Sequence, residues 1–275
     1  MKFLKFIIFL IPIIFYCQNN RAYYQMKYKP NKIDTTTKKI LQVLIFNSLK
    51  SSFQSHGVLK RDSLFAISLE HKNKTGDFLN NDENFRSSMD DQYKISSDSK
   101  SDIVTFQDIL GEQYLAKYEE KIKLKWQISS DTQDFNGIKC QKATTEYGGR
   151  KWIAWFASEY NFHFGPYKFQ GLPGLIIKIW DTENNFMWDF VGLKKQNSDN
   201  FYENTYLELQ GWQIANLDKK NFLKVEHQYF NHPLGNISEI FPDASGDKIQ
   251  KILEIEREKI KRNQYMNNKI EIAQK

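Results

Sequence analysis

Apolar and polar residues alternate at a period of two along several stretches of this chain, the pattern of half-buried β-strands. Ala22, Tyr24, Met26 and Tyr28 share one side of the first such stretch. In another, Ile122, Leu124, Trp126 and Ile128 alternate with Lys121, Lys123, Lys125 and Gln127. Wound as a helix, that segment would scatter its lysines around the whole circumference. Lys38 to Phe46, Ile103 to Phe106 and Gln113 to Glu119 also read as strands. Two hairpins have matching turn chemistry. Ile138 to Tyr147 meets Gly148-Gly149 and returns as Arg150 to Phe156, and a glycine pair permits the positive φ angles of a tight turn. Leu175 to Asp181 meets Thr182-Glu183-Asn184-Asn185 and returns as Phe186 to Leu193. Leu175, Ile177 and Ile179 are expected on one face, Ile176, Lys178 and Trp180 on the other, with Phe186, Trp188 and Phe190 together on the return strand.

The helical periodicity is sparser. Leu59 to Leu69 fits a helix, and Asn73 to Ser101, rich in Ser, Asn and Asp, reads as a long loop. Asp218 to Phe230 fits a helix ended by His232-Pro233. Asp247 to about Ile270 reads as a long charged helix whose apolar seam is only Ile249, Ile252, Leu253 and Ile260. The predicted fold is therefore mainly β (α+β): a curved antiparallel sheet, up to a half-barrel similar to lipoprotein-carrier folds, with C-terminal helices. Residues 18–240 are expected to form the β-rich domain and 241–275 the charged helix.

The N-terminus has a different pattern. Lys2 and Lys5 precede a short apolar run from Phe6 to Tyr16 that Pro12 interrupts. This is the layout of a signal peptide over residues 1–17, and it is too short for a comfortable membrane span. The expected destination is export, to the periplasm, the outer membrane or the medium. Membrane association is expected only through this segment or a lipidated Cys17. Bulky Phe15 and Tyr16 are poor neighbours for either processing route. Once Cys17 leaves, Cys140 has no intramolecular partner, so no disulfide braces the core. The chain has 275 residues, with 15% aromatic residues, too many for a disordered polymer. The net charge of +6 falls by two with Lys2 and Lys5. Acidic residues are interleaved nearly everywhere, which argues against a nucleic-acid partner.

Several catalytic signatures are missing. The sequence has no G-x-S-x-G, H-E-x-x-H, G-x-x-x-x-G-K-[ST], C-x-x-C or G-x-G-x-x-G. His227 and His232, five apart with Pro233 next, do not share a helical face as a metal pair would. Cys140 sits mid-strand and reads as a small buried hydrophobe. Asp181, Glu183 and Asp189 cluster near one hairpin, where acid–base chemistry is conceivable but solvated turn residues are the simpler reading. No catalytic residue, metal ligand or cofactor is assigned.

The densest signal runs from Gly165 to Ile177, Gly-Pro-Tyr-Lys-Phe-Gln-Gly-Leu-Pro-Gly-Leu-Ile-Ile. Gly165-Pro166 and Pro173-Gly174 are turn dipeptides, while Tyr167, Phe169 and Leu172 give the loop apolar side chains of its own. Such a loop is rigid, and serves either as a plug for one end of the sheet or as a rim for a ligand or partner. Gly171-Leu172-Pro173-Gly174-Leu175-Ile176 spells the motif of the GLPGLI family of bacterial envelope proteins. Gly137 to Ala143, Gly149-Arg150 with Ala154-Trp155-Phe156, and Gly165 to Phe169 also resemble that family. The resemblance is specific from about Trp126 to Asp181 and fades after Gly192. Before the Gly-Pro turn this chain has Tyr160 to Phe164 where the family often has an Ile-Pro-like pair, so His163 has no family counterpart. The resemblance implies an exported protein and carries over no catalytic residue or activity.

The aromatic excess suggests a binding module that holds an apolar small molecule or lipid in the curved sheet. The expected contacts are Trp126, Arg150, Trp152, Trp155, Tyr167, Phe169, Gly171, Leu172, Pro173, Gly174, Trp180 and Trp188. The alternative is an envelope-protein partner that uses the charged helix and the loop around Gly171. A hydrolase built from scattered residues ranks third.

Overall fold

Strands β1 (Asn19–Tyr28), β2 (Lys38–Phe46), β3 (Lys50–Ser55), β4 (Lys94–Asp98), β5 (Ile103–Ile109), β6 (Tyr114–Lys121), β7 (Gln127–Phe135), β8 (Ile138–Tyr147), β9 (Arg150–Ala157), β10 (Leu175–Asp181), β11 (Phe186–Gln196) and β12 (Gln213–Asn216) form one sheet in the computed structural model. Helices α1 (His56–Thr75), α2 (Lys219–Asn231) and α3 (Gly246–Tyr265) accompany it. The described residues are 19–79, 92–98, 100–110, 114–196, 212–231 and 246–271. The expected signal segment with Cys17, and His232, lie outside them. Among the described residues no helix is long and apolar enough to cross a membrane.

The strand order is β12-β6-β5-β4-β3-β2-β1-β11-β10-β9-β8-β7. Two meanders of sequence-adjacent strands meet where β1 pairs with β11, and every pairing is antiparallel except β12 with β6. The fold is mainly β and curved, as the alternation predicts. The curvature follows from chain length. At about 4.8 Å per strand, β6 and β7 would lie roughly 48 Å apart in a flat sheet. The link Ile122–Trp126 between them spans at most about 20 Å. The sheet must therefore curl until its two margins approach, and Tyr147 of β8 donates a 3.4 Å hydrogen bond to Glu120 of β6.

That link corrects one expectation. Residues 122–126 alternate in burial, with Ile122 buried and the lysines exposed, but they lie outside the strands. Their periodicity comes from an extended crossover, which Thr145 secures by donating to the Lys125 carbonyl at 3.0 Å. The expected 73–101 loop is also incomplete as a description. α1 runs on to Thr75, and β4 lies within that stretch, its alternation hidden in the serines of Ile95-Ser96-Ser97. β3 and β12, also rich in polar residues, were not expected from the sequence pattern. α1 outgrows its predicted core at both ends because Ser55 accepts from the Val58 amide at its start and Gly76, at φ 89°, caps its end. In β10 a register shift between Ile176 and Lys178 breaks the strict alternation, so Leu175, Ile176 and Ile177 are all buried. The last helix stops at Tyr265, and the following residues form a non-helical tail.

The inner face holds the large core, which includes Tyr24, Phe53, Phe106, Tyr118, Trp152 and Trp188, with Phe222 of α2. On the outer face a smaller cluster, Val43, Ile45 and Leu59, seats α1 on β2 and β3.

Candidate functional site

The Gly165–Gly174 loop folds into the inner face, where the expected aromatic contacts meet one another. The Phe169 ring lies 4.7 Å from Trp152, 6.0 Å from Trp188 and 6.4 Å from Trp126. Tyr167 stacks on Trp188 at 6.2 Å. Trp152, Phe169, Leu172 and Trp188 are all at most 1% exposed. The indoles are satisfied within the chain: Trp152 donates to the Tyr147 carbonyl, Trp188 to Gln42 and Trp126 to the Gln170 carbonyl. The loop is locked by its own bonds, from the Gly171 amide to the His163 carbonyl and between His163 Nδ1 and the Leu172 carbonyl. Gly174 must be glycine, because a Cβ there would run into the Ala157 carbonyl. Trp155 packs on Phe135 at 5.6 Å, half-buried Trp180 lies 5.8 Å from the Lys178 ammonium, and Gly171 and Pro173 are exposed. The structure thus brings Trp126, Trp152, Tyr167, Phe169, Leu172 and Trp188 together, and fills the space over them with the chain's own loop.

Beside these rings lies a partly buried ring of charges. Lys168, whose side chain is fully enclosed, pairs with Glu120 and with Glu271. Lys219 pairs with the other oxygens of the same two carboxylates, at 2.6 Å and 2.7 Å. Four side chains from β6, the loop, the start of α2 and the C-terminal tail therefore close into one cycle. Tyr118 accepts from Lys168, and Tyr167 donates to Glu271 at 2.6 Å. Burial alone would raise the Glu271 carboxyl. The Lys168 charge and hydrogen bond, with bonds from Lys219 and Tyr167, outweigh it and hold the group at about 2. Burial, reinforced by Glu271 and Glu120, pushes the Tyr118 and Tyr147 hydroxyls above their ordinary range.

Arg150 anchors the same tail. Its guanidinium donates to Asp181 at 2.9 Å, to Asn268 at 2.7 Å and to the Lys269 and Ile270 carbonyls at 2.8 Å and 3.1 Å. Asn268 donates onward to the Lys29 carbonyl. Gly148, at φ 60°, leaves room for the tail, since a Cβ there would lie 2.9 Å from Glu271 Cγ. Arg150 is thus a structural clamp inside the molecule.

The carboxylates considered for acid–base chemistry are engaged. Asp181 is buried, accepts the Asn185 and Phe186 amides and organises the β10–β11 turn. Asp189 is flanked by Lys27 at 2.9 Å and Lys178 at 3.1 Å. Burial, then Glu159 and Asp134, push the Cys140 thiol up to about 11, far from a reactive thiolate. His227 is exposed on α2.

The outer face beside α1 is built differently. A hollow of about 360 Å³ opens over β3 to β6. Its floor is a cross-strand row: Ser52 opposite Ser96, Ser96 opposite Thr105, and Thr105 opposite Glu119. Lys50, Asp98 and Ile103 form the neighbouring row, and Lys94 completes the lining on the other side. Ser52 is 4% exposed, yet its hydroxyl has no hydrogen-bond partner. Gln54, on the same face and fully buried, has both side-chain polar atoms unpartnered, as is one oxygen of buried Asp62 on α1. Burial raises the Asp62 carboxyl against the opposing pull of Arg61 and Lys94. Each unmade bond of this kind costs about 1–3 kcal/mol, so native proteins keep few of them.

Sequence reasoning missed both polar assemblies. Lys168 had one visible signal, a lone lysine between Tyr167 and Phe169 in an otherwise apolar loop. Its partners are 48 and 103 residues away in sequence, which no local pattern reveals. The hydroxyl row becomes visible only once the strand register is known.

No family model matches this chain, and no curated protein matches it. Among solved structures, PNGF-II in its C2 crystal form superposes with a TM-score of 0.52 and 16% identity. The P21 form gives a TM-score of 0.50 and 17% identity. The match covers 77% of this chain and 33% of PNGF-II, so the chain spans about a third of that protein. At this identity the likeness is one of fold. A domain from Vibrio parahaemolyticus described as that of an outer membrane lipoprotein-sorting protein aligns over 69% of this chain and 91% of its own length. Its TM-score of 0.26 and 9% identity are too low to define a shared architecture.

Proposed function

We propose that this chain is a GLPGLI-type protein of the bacterial cell envelope that acts as a non-catalytic binding module. Its ligand is held in the hollow on the outer face, and the aromatic inner face is the structural core. The observation that carries this reading is the open hollow over β3 to β6, whose floor presents the half-buried hydroxyl residues Ser96 and Thr105. A ligand lies against these two side chains. Over the inner face, the loop and the tail already occupy the rings and charges that a ligand would need. Export rests on the lysine-led apolar run at the N-terminus. The absence of catalysis rests on the engagement of the nucleophile and acid candidates described above.

The native mass spectrum of the protein purified from a bacterial envelope tests this. A bound small molecule is expected, and it should disappear when Thr105→Trp fills the hollow without touching the inner core. A bare protein mass for both overturns the reading. So does an adduct that survives Thr105→Trp, which would return the ligand to the inner face.

A further inference from the structure

We infer that the outer-face hollow takes a neutral, polyhydroxylated ligand, a short saccharide. This deepens the binding-module reading and rests on it. Three of the four floor residues, Ser52, Ser96 and Thr105, carry hydroxyls, which both donate and accept. Sugar hydroxyls do the same, so either partner can take either role along the row. The lining charges are equal in number: Lys50 and Lys94 against Asp98 and Glu119, with Lys50 directly opposite Asp98. A phosphate or carboxylate ligand would find as many repelling as attracting groups, and so would a cation. Lys and carboxylate side chains beside a neutral sugar instead act as strong hydrogen-bond donors and acceptors.

The dimensions agree. Ser52 to Glu119 crosses three strand spacings, about 14 Å. That is longer than one sugar ring, and the row runs across the strands as a track. The volume of about 360 Å³ lies within the ~300–1,000 Å³ range of small-molecule sites. Ile103, 38% exposed at the edge of the row, offers an apolar patch for the C–H face of a sugar. The half-buried Ser96 and Thr105, opposite each other at the centre of the row, mark where the ligand hydroxyls belong.

The test uses the full chain on an array of neutral oligosaccharides of hexoses and N-acetylhexosamines, with acidic glycans alongside. The best ligand is then titrated into isotope-labelled protein followed by NMR. Binding to neutral glycans is expected, with amide shifts in residues 50–55, 94–98 and 103–105, and Ser96→Ala and Thr105→Val should each weaken it by roughly tenfold. Equal affinity for free and surface-linked oligosaccharide would identify a free sugar as sufficient; a need for the linked form would point to a sugar polymer of the envelope. Binding confined to acidic glycans, or affinity unchanged in both Ser96→Ala and Thr105→Val, overturns the saccharide assignment. If no glycan binds but an envelope extract still shifts the signals of the hollow, the saccharide is wrong and the binding module stands. If neither shifts them, both fail.

Discussion

The charge ring of the inner face and the enclosed polar atoms below α1 on the outer face are matched in opposite ways. On the inner face Lys168, Lys219, Glu120, Glu271 and Arg150 are buried or partly buried, and each meets several partners within the chain. On the outer face Ser52, Gln54 and one Asp62 oxygen are enclosed with none. A buried charge network that is fully satisfied specifies a single packing, and removing one member exposes the rest to an uncompensated interior. Polar atoms left unmatched weaken the fold. The inner face is therefore the half of the molecule whose charges are matched internally, and the outer face keeps the unmatched groups.

The sharpest way to break this contrast is Lys168→Met. It leaves Glu120 and Glu271 sharing only Lys219, and a loss of about 3–5 kcal/mol is expected in urea unfolding. A loss near zero would make the ring ornamental. Acid should act next. The Glu271 carboxyl sits at about 2 in the folded protein against an ordinary 4.5, so it contributes stability above 4.5 that is lost as the pH falls toward 2. The full loss is on the order of 3 kcal/mol. It is read as a falling urea midpoint across that window, and Glu271→Gln should flatten the slope. Gly148→Ala combines a positive φ with a clash against Glu271, for an expected cost of about 1–3 kcal/mol in the same assay. Ser52→Ala stands at the opposite end. Deleting an unpartnered buried hydroxyl should leave stability unchanged or raise it by up to about 1 kcal/mol, because no bond is lost. A clear destabilisation there would erase the difference between the faces.

The strands whose buried side alternates with a polar side were legible from sequence. β1, β2 and the β8–β9 and β10–β11 hairpins lie where period and turn residues place them. β4 was hidden because serines occupy both of its sides, and 122–126 misled because an extended crossover alternates as a strand does. The importance of the Gly165–Gly174 loop could be read locally, from its prolines, glycines and rings. Its charge partner Glu271 could not be, because it arrives from the C-terminal tail. Arg150 drew attention as a contact, but its four acceptors all belong to the chain itself, two of them backbone carbonyls of that tail. The hydroxyl row needed cross-strand register, which sequence alone does not supply.

The seam between β1 and β11 also has a consequence in time. Each meander can assemble from neighbours in sequence, but β1 gains its second partner only when residues 186–196 return to it. Joining such distant segments is slow, because loop closure comes before any contact repays it. A chain that emerges N-terminus first must wait for roughly 160 to 180 further residues before that edge is covered. Through that interval β1 offers an open row of amides and carbonyls to any passing strand. The step that completes the sheet is thus also the step at which a crowded, half-made population is most exposed to wrong pairing.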